Sequence, residues 1–510
     1  MRGALMVCGT GSDVGKTHVV TGLCRVLARR GVRVAPFKAQ NMSLSSYVTR
    51  AGHEIGRAQA AQAFAAGVEP EVVMNPILLK PSSVTGSQVV LMGRPIGHLE
   101  ADEYHARKPE LLEHVLGALA DLRSRFDVVL LEGAGSPAEI NLLDRDIVNL
   151  SVAVAAGIDA VVVGDIDRGG VFASLYGTVA LLPPEQRARV RGFVINKLRG
   201  DPALLFDGAA QLERASGVPT LGVLPWVDGV ALDAEDSLAL QGPPPAPLTA
   251  DGRGPTAIDV AVVRFPHLAN PTDVDPLALE PGVGVRFVDH AASLGDPDLV
   301  VLPGSKATLA DLAWLRASGL AAALEASRST VVGICAGYQM LGRRLADPHG
   351  VESSAAATAE GLGWLAADTT WQAEKTLRRR QGTVGAGPGT GAPVHGYEIH
   401  HGDTATDRDV VGWLCLDGAL EGAIGHRPTA VGRRAVYGTS LHGVFEADEL
   451  RAAVLADAHR GRRGGATRPW SPRGVSFAAA RQAQVDRLGD LVEQHLDLDA
   501  VERLIGGSAA

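Results

Sequence analysis

The sequence predicts two α/β domains joined by a linker and followed by a helical tail. On both sides of residues 241–256, short β-branched runs alternate with alanine- and leucine-rich segments, which is typical of βαβ units around a parallel sheet. The linker, QGPPPAPLTADGRGPT, is rich in proline and glycine and has no periodicity. At 510 residues, the chain is longer than one hydrophobic core usually organises. We therefore expect domains at 1–240 and 257–450 and a helical segment at 451–510.

Short apolar runs in the first domain predict buried parallel strands. They are ALMVCGT, VRVAPFK, DVVLLEG, DAVVVGDID and RGFVINK. Residues 16–30 and 54–66 are rich in alanine and leucine and lie between these runs, so we expect crossover helices there. In the second domain, IDVAVVRF, DLVVLPGS and STVVGICAG repeat the pattern. A glycine-rich loop at 382–396 and a helix in FAAARQAQVDRLGDLVEQHL complete the expected elements.

The composition is that of a globular protein, with 46% hydrophobic and 21% charged residues. The formal charge of -9, without a long basic block, disfavours a nucleic-acid binder. No apolar run reaches the ~18 residues that a membrane span requires, so we expect a cytoplasmic protein without a membrane partner. The four cysteines have no CxxC spacing, and any metal should therefore be held by oxygen ligands. The sequence leaves the oligomeric state open, a homo-oligomer included.

A phosphate-binding loop is predicted at GTGSDVGKTH, residues 9–18. The loop follows a strand and precedes a helix, so its backbone amides and the positive end of the helix dipole would point at one anion. The lysine adds a full charge, and the threonine that follows it offers a hydroxyl for magnesium. The alternative is a glycine-rich turn without a ligand. The ATP-binding residues expected here are Gly11, Asp13, Gly15, Lys16 and Thr17.

Acidic residues near strand ends provide further candidates for magnesium ligands. Glu132 ends an apolar run, and an open parallel sheet presents its ligand site at the carboxyl edge. Asp144 and Asp146 follow in NLLDRDIVNL. We predict that Thr17, Glu132 and Asp146 hold the metal and that Asp146 lies in the phosphate and substrate region. Each acid, taken alone, is equally well explained as a loop residue that faces water.

Polar residues follow two other strands of the first domain. Lys38, Gln40 and Asn41 in FKAQNMS either bind an anionic substrate or cap the next helix, and we predict substrate or phosphate binding. Asn196 in INKLRGD resembles the asparagine that reads a purine edge in P-loop folds. We therefore assign Asn196 to ATP binding, with an ordinary turn residue as the alternative.

The stretch GICAGYQMLG predicts a nucleophilic cysteine. A strand, a tight turn of small residues and a helix surround Cys335, and this layout turns a side chain outward at a helix N-terminus. Residues after another strand could supply backbone amides to an oxyanion, and His442 could act as the base. An inert buried cysteine would explain only one of these features. The predicted catalytic residues are Cys335 and His442, and the predicted oxyanion residues are Gly304, Ser305 and Ala336.

These motifs resemble those of known protein families. The second domain resembles class I glutamine amidotransferases, in which a cysteine attacks the side-chain amide of glutamine and releases ammonia. The first domain resembles the dethiobiotin-synthetase-like ATP domain of corrinoid synthesis. The stretches that together resemble the cobyric acid synthase family are FKAQNMSLSSYVT, HEIGRAQAAQAFAAG, MNPILLKP, SQVVLMG, EGAGSPAEINL, INKLRGD, PGSKAT and GYEIHHG.

The resemblance implies a P-loop parallel sheet followed by a flavodoxin-like amidotransferase domain. It also implies amidation of the b, d, e and g carboxylates of adenosylcobyrinic acid a,c-diamide, with glutamine as the nitrogen donor and ATP with Mg²⁺ as cosubstrate and cofactor. Most class I enzymes carry glutamate two residues after the catalytic histidine, whereas Gly443 and Val444 follow His442 here. We therefore expect the third member of the catalytic triad to be missing.

Two other functions remain as alternatives at this point. The a,c-diamide synthase of the same pathway has both domain types, although FKAQNMS and GHEIGRAQ resemble the cobyric acid enzymes. An ATP-dependent switch of the partitioning-ATPase type could use a degenerate amidotransferase domain for binding. Because Cys335 and His442 are both present, we expect a catalytic domain instead, and a glutaminase assay discriminates the two.

Overall fold

The computed structural model describes residues 1–82, 86–227, 257–353, 355–429, 432–463 and 470–507, so the predicted linker at 241–256 lies outside the described residues. The chain forms two compact units. The first contains the described parts of Met1–Ser43, His53–Asp233 and Arg481–Ala510, and the second contains those of Leu44–Gly52 and Ala234–Ala480. Unlike the predicted continuous domains, nine residues of the first half therefore belong to the second unit, and the part of the tail from Arg481 onward belongs to the first.

The strands, in chain order, are β1 Gly3–Gly9, β2 Val34–Phe37, β3 Gln40–Met42, β4 Ser46–Val48, β5 Glu54–Gly56, β6 Ile77–Pro81, β7 Gly86–Leu91, β8 Arg94–Glu100, β9 Val128–Glu132, β10 Asp159–Asp165, β11 Val190–Leu198, β12 Thr220–Pro225, β13 Ile258–Val263, β14 Leu268–Ala269, β15 Val283–Val288, β16 Leu299–Leu302, β17 Gly304–Ser305, β18 Thr330–Ile334, β19 Arg344–Asp347, β20 Ala357–Glu360, β21 Ala367–Val384, β22 Pro393–Thr406, β23 Leu414–Leu416, β24 Ala419–Glu421, β25 Ala423–Thr429 and β26 Gly432–Thr439. The helices are α1 Lys16–Arg29, α2 Arg57–Ala65, α3 Ala101–Arg125, α4 Leu150–Ala156, α5 Val171–Leu181, α6 Pro184–Arg187, α7 Gly208–Ser216, α8 Asp275–Ala278, α9 Ala291–Leu294, α10 Thr308–Ala317, α11 Leu320–Ala326, α12 Ala336–Leu341, α13 Asp448–Arg463, α14 Phe477–His495 and α15 Leu498–Gly507.

The first unit is built around a parallel sheet with the order β12-β11-β10-β1-β9-β2. Its strands are the apolar runs that the sequence predicted, and both faces of β1 and β9 are buried. In the register, Val7 of β1 pairs with Glu132 of β9, and Phe37 of β2 pairs with Leu131. The carboxyl ends of the three strands therefore meet at one edge, where a parallel sheet binds ligands. The predicted α/β fold of this half is confirmed.

The first unit also contains a smaller sheet that the sequence did not predict. Its order is β3-β6-β7-β8, with a parallel pair between β3 and β6 and antiparallel pairs after it. Strand β3 follows β2 after only two residues and carries Gln40 and Asn41. The two predicted substrate residues therefore lie on a strand and not in a loop.

The helical tail completes the core of the first unit. The buried side chains of Val492 on α14 and Ile505 on α15 belong to the same apolar cluster as α1. Helices α1 and α14 approach closely at Gly22, where an added Cβ would lie 2.5 Å from Val492 and 2.7 Å from the Leu488 carbonyl oxygen. Arg25 lies 2.7 Å from Asp486 on the partner helix. The tail is thus part of the nucleotide-domain fold.

The second unit has its own central sheet, with the order β15-β13-β16-β18-β26-β25. All its pairs are parallel except β25 with β26. A second sheet, β20-β19-β21-β23-β24, carries the long hairpin of β21 and β22. The predicted glycine-rich loop at 382–396 is shorter in the structure, because β21 extends to Val384 and β22 begins at Pro393. The predicted second α/β domain is confirmed.

None of the described helices combines the length and the apolar character needed to cross a membrane. Among the same residues, no group of three or more histidine, cysteine or acidic side chains could hold a metal ion.

Candidate active sites

Cys335 lies on a strained turn between β18 and α12. Its backbone angles are φ 52 and ψ -110, which are unusual for a residue with a side chain. A Cβ added to Gly333 would lie 2.7 Å from the Gly337 backbone, and one added to Gly337 would lie 1.9 Å from the Leu302 carbonyl oxygen. The turn therefore requires glycine on both sides of the cysteine, which is the geometry of a nucleophile elbow.

His442 is held by a buried carboxylate. Its Nδ1 lies 2.7 Å from Asp273 Oδ2, and Asp273 Oδ1 accepts a hydrogen bond from the Gly443 backbone at 2.9 Å. Burial lowers the pKa of His442, but Asp273 and the contacting Cys335 side chain outweigh it and raise that pKa to about 10. Asp273 therefore occupies the position of the third triad member, and the prediction that this member is missing was wrong. No local sequence pattern indicates Asp273, because it precedes the histidine by 169 residues.

A second layer of contacts surrounds the histidine. The Tyr397 ring stacks on the His442 ring, with centroids 5.4 Å apart and an interplanar angle of 17°. Asn270, in the left-handed conformation with φ 51, donates to the Tyr397 hydroxyl at 3.2 Å and accepts from the Ser46 backbone N–H at 2.8 Å. The Tyr397 hydroxyl donates to the Ser46 carbonyl oxygen at 3.0 Å. The inserted segment at 44–52 is thus part of the surroundings of the catalytic histidine.

The predicted oxyanion residues lie on both sides of the nucleophile. Gly304 is next to the imidazole, because an added Cβ would lie 3.1 Å from His442 Cε1. Ala336 begins α12, where the first backbone N–H groups have no partner inside the helix. The Ser305 hydroxyl is used locally, since it donates to Asp311 at 2.5 Å and accepts from the Ala307 N–H. Gly304 and Ala336 are therefore better placed than the Ser305 side chain to receive an oxyanion.

The phosphate-binding loop adopts the predicted strand–loop–helix form. Gly15 has φ 97, and an added Cβ would lie 2.0 Å from Asn196 Nδ2. Lys16 bends back over the loop and donates to the Gly11 carbonyl oxygen at 2.8 Å. Burial lowers the pKa of Lys16, although Glu132 acts in the opposite direction. Asp13 also has a positive φ of 58, so the loop backbone is curved as a phosphate cradle requires.

Glu132 is the centre of a buried polar cluster at the edge of the sheet. Its carboxylate accepts from Thr17 Oγ1 at 2.9 Å, from Lys38 Nζ at 3.0 Å and from Gln62 Nε2. Burial alone would raise the pKa of Glu132, but Lys38 and Lys16 outweigh it and keep that pKa below its ordinary value. An ionised carboxylate beside the threonine hydroxyl is a suitable oxygen donor set for Mg²⁺. Three of the predicted residues, Thr17, Lys38 and Glu132, are therefore brought together.

Asn196 and the residue after it hold the phosphate-binding loop. Asn196 Nδ2 donates to the Val14 carbonyl oxygen at 2.9 Å. Lys197 Nζ bridges the Asp13 carbonyl oxygen and Asp165, the latter at 2.9 Å. The structure thus gives Asn196 a supporting contact to the loop, and its contact with the adenine base stays a prediction. Lys197 and Asp165 were not among the predicted site residues, although Lys197 follows Asn196 directly in the INKLRGD stretch.

Asp146 caps the loop before α4. Its two carboxylate oxygens accept from the backbone N–H groups of Val148, Asn149 and Ser151 at 3.0–3.2 Å. The backbone contacts explain Asp146 without a metal, and its role as a ligand stays a prediction. Asp144, the neighbouring candidate, is exposed.

The other predicted substrate residues have protein partners on helices α3 and α2. Gln40 accepts from the Tyr104 hydroxyl at 2.5 Å, and Asn41 donates to Gln59 at 2.9 Å. These contacts hold the side chains of Gln40 and Asn41 in place. Both residues follow shortly after Lys38, which belongs to the buried Glu132 cluster. Their contact with substrate stays a prediction.

The chain matches two family models and many curated relatives. Residues 5–239 match the CobQ/CobB/MinD/ParA nucleotide binding domain, and residues 259–450 match the CobB/CobQ-like glutamine amidotransferase domain. Proteins named cobyric acid synthase are similar over nearly the whole chain. The one from Rhodococcus jostii (strain RHA1) is 49% identical over 100% of this chain and 96% of its own length. The one from Streptomyces coelicolor (strain ATCC BAA-471 / A3(2) / M145) is 50% identical over 100% of this chain and 97% of its own length.

The chain belongs to the cobyric acid synthase family. Membership makes it a glutamine-hydrolysing ligase with an ATP-binding domain, as the sequence predicted. The member from Mycolicibacterium gilvum (strain PYR-GCK) is 51% identical over 98% of this chain and 95% of its own length. In this chain, the nucleotide-domain match contains Lys16 and Glu132, and the amidotransferase match contains Cys335, Asp273 and His442.

Proposed function

We propose that this chain amidates the b, d, e and g carboxylates of adenosylcobyrinic acid a,c-diamide, with ATP to activate each carboxylate and glutamine as the nitrogen donor. The observation that carries the proposal is the buried arrangement of Cys335, His442 and Asp273, because a degenerate binding domain would not need it. The full-length similarity to cobyric acid synthases favours this substrate over that of the a,c-diamide synthase. The intact catalytic residues count against a non-catalytic ATPase switch.

Ammonia release follows from the geometry of the second unit. His442 accepts the thiol proton of Cys335, and the sulfur attacks the side-chain amide carbon of glutamine. The oxyanion that forms is received by backbone N–H groups near Gly304 and Ala336. His442 then donates its proton to the leaving ammonia, and Asp273 stabilises the imidazolium throughout. Water hydrolyses the thioester and regenerates the thiol.

Carboxylate activation is the task of the first unit. A carboxylate is a poor acylating agent, since its leaving group would be oxide, so the γ-phosphoryl group of ATP is transferred to it to form an acyl phosphate. Lys16 offsets the negative charge that develops on the phosphates. Lys38, which is ion-paired with Glu132, adds positive charge to the region where the substrate carboxylate would bind. Ammonia then displaces phosphate and leaves the carboxamide.

Magnesium fits the residues at the edge of the first sheet. Thr17 and Glu132 would hold the ion, with phosphate oxygens and water as the remaining ligands. The bound ion would neutralise part of the negative charge on the phosphates. Asp146 is the third proposed ligand, and Asp146→Asn should lower the amidation rate strongly while ATP still binds. An amidation rate equal to that of the parent would leave Asp146 with its capping role only.

The use of ATP and of a free catalytic thiol supports a cytoplasmic location.

A pair of variants tests the division of labour. Cys335→Ser should abolish glutamine-dependent amidation and keep amidation with added ammonium salt, because only the source of ammonia is lost. Lys16→Ala should abolish amidation with either nitrogen donor, while glutamine hydrolysis survives. Cys415→Ser, a free cysteine of the same unit outside the site, is the matched control. Products are followed by mass spectrometry, and equal loss with both donors in Cys335→Ser would contradict the proposal.

A further inference from the structure

Asp311 on α10 carries a fully buried carboxylate that the reaction steps above do not use. Such a group is costly to bury unless hydrogen bonds and charge compensate it. The Ser305 hydroxyl donates to its Oδ2 at 2.5 Å, and the His267 backbone N–H donates to the same oxygen at 3.2 Å. His267 Nδ1 lies 2.8 Å from Oδ1, and this hydrogen bond raises the pKa of the imidazole. The carboxylate is therefore bound to two separate segments of the chain.

The two segments that this carboxylate binds are paired with each other beside the catalytic histidine. His267 directly precedes β14, and Ser305 ends β17. The two strands are antiparallel, with Ala269 opposite Gly304. A Cβ added to Gly304 would lie 3.1 Å from the Ala269 carbonyl oxygen and 3.1 Å from His442 Cε1. The carboxylate thus holds the β14–β17 ladder one residue away from its contact with the catalytic imidazole.

The place of β17 decides where the backbone amides near Gly304 can receive an oxyanion. The strand is joined to the nucleophile elbow, because the Gly337 backbone N–H donates to the Pro303 carbonyl oxygen at 3.1 Å. The Ser305 hydroxyl is fixed as well, since it accepts from the Ala307 N–H at 3.0 Å. Oxyanion donors lower the barrier because they are in place before the charge develops. A displacement of about 1 Å can cost on the order of 100-fold in rate.

We propose that Asp311 is a positioning residue for glutamine hydrolysis, which holds the β14–β17 ladder and with it the oxyanion amides near Gly304. This inference rests on the proposed glutaminase role of Cys335 and adds a residue that acts through the strand and not on the thiol. The oxyanion develops only as the sulfur attacks the amide, so the contribution belongs to the transition state. Loss of the carboxylate should therefore lower kcat and leave KM for glutamine nearly unchanged.

The first test uses Asp311→Asn in the full-length protein. The variant keeps the size of the side chain but removes its charge and replaces one acceptor by a donor. Its kcat for glutamine hydrolysis should fall by about 10- to 100-fold, since a displaced oxyanion donor loses less than the roughly 100- to 1,000-fold that a deleted donor costs. KM should stay within about threefold.

A second measurement on Asp311→Asn separates the strand from the thiol. Iodoacetamide alkylates Cys335 by attack of the sulfur on a CH₂ group with release of iodide, and no oxyanion forms. The alkylation rate depends on the thiolate and its access, so it should stay within about twofold of the parent. The rate is followed by mass spectrometry of the peptide that contains Cys335.

Ser305→Ala tests the same link even if Asp311→Asn does not fold. The variant removes the hydroxyl that reaches Asp311 and keeps the backbone of β17. Its kcat should fall by about 3- to 10-fold, the amount that one hydrogen bond contributes. Ser305→Thr, which keeps a hydroxyl, should stay within about twofold of the parent. Equal kcat values in the alanine and threonine variants would contradict the link.

Asp298→Asn is the matched control for the buried acid. Asp298 is also buried and accepts from a backbone N–H, that of Asp259 at 2.9 Å, but it precedes β16 at the amino end of that strand. This variant should keep the kcat of the parent, and Asp311→Asn should keep ammonium-dependent amidation. A parent-like kcat in Asp311→Asn, or alkylation that falls together with hydrolysis, would overturn the role of Asp311. Absence of glutamine hydrolysis in the parent would instead contradict the proposed function itself.

Discussion

Asp273 shows how one carboxylate can organise a catalytic histidine from a distant part of the chain. One oxygen holds the His442 imidazole and the other holds the backbone N–H of Gly443, so that ring and main chain are fixed together. A carboxylate in this position selects the ring tautomer and stabilises the imidazolium. The loop that carries it also carries Asn270, which links the Tyr397 hydroxyl to the Ser46 backbone.

Asp273→Asn should lower glutamine-dependent amidation by about 100- to 10,000-fold, because an amide cannot stabilise the imidazolium and favours the wrong tautomer. Amidation with ammonium salt should stay at the parent level. Asp289→Asn is the matched control, since Asp289 also contacts a histidine, His290, at 2.7 Å but lies outside the site. A parent-like rate with glutamine in Asp273→Asn would remove Asp273 from the triad.

Glu421 should make the stability of the second unit depend on pH. Burial raises its pKa from the ordinary value of 4.5 to about 7, although hydrogen bonds from Thr439 and Ser440 act in the opposite direction. Because the folded state binds this proton more tightly, the group contributes stability that is complete below about pH 4.5 and is lost as pH rises through about 7. Glu421→Gln cannot ionise, so parent and variant should unfold similarly at pH 5 and the parent should be relatively less stable at pH 8. A constant difference across this range would contradict the raised pKa.

At the scale of elements, helix α1 serves two functions at once. Its first residues, Lys16 and Thr17, form the phosphate site, and its middle packs against α14 at Gly22. On the other side of that contact, a Cβ added to Gly489 would lie 3.0 Å from the Arg25 side chain. The helices can therefore approach closely only because both crossing positions lack side chains.

Gly22→Ala should destabilise the first unit by about 1–3 kcal/mol, since the new Cβ overlaps Val492 and the Leu488 carbonyl oxygen. Alanine normally stabilises a helix relative to glycine by up to about 1 kcal/mol, and Gly506→Ala on α15, with nothing within 4 Å of the new atom, should do so. The two variants should thus shift unfolding in opposite directions. The measurement is the thermal transition that ATP with Mg²⁺ moves upward. Shifts of the same sign would contradict the close approach.

The elements that could be predicted from the sequence are those whose pattern lies within one contiguous stretch of residues. The phosphate-binding loop and the Cys335 elbow are contiguous strand–turn–helix stretches, so their residues and their chemistry occur together in the sequence. Asp273 and Glu421 have no such context, because only the folded sheet brings them to the histidine and to Thr439. The small sheet of the first unit was missed for a related reason, since its strand β3 is only three residues long and reads as a polar loop.

At the scale of the molecule, the two units use different parts of the tail. The apolar cluster of the first unit includes Val492 of α14 and Ile505 of α15, whereas the cluster around Cys335 and Trp413 includes Val454 and Leu455 of α13. The sequence predicted the tail to be helical but could not indicate which domain it completes, because an amphipathic helix does not identify its partner.

Val492→Asp should abolish amidation with either nitrogen donor, because a charge in that cluster would unfold the first unit. Glutamine hydrolysis by the second unit should survive. Gln494→Asp, at an exposed position of the same helix, should keep both activities. Loss of hydrolysis together with amidation in Val492→Asp would show that the second unit also depends on α14.

Because α14 and α15 complete the first unit, its folding cannot finish when its own strands have been translated. The ribosome must first synthesise the 257–480 portion of the second unit, which takes on the order of tens of seconds at roughly 5–20 residues per second. During that time, the face of α1 around Gly22 lacks its partner helix and is available to chaperones. A nascent chain that already contains Lys16 and Glu132 therefore still lacks a complete nucleotide domain.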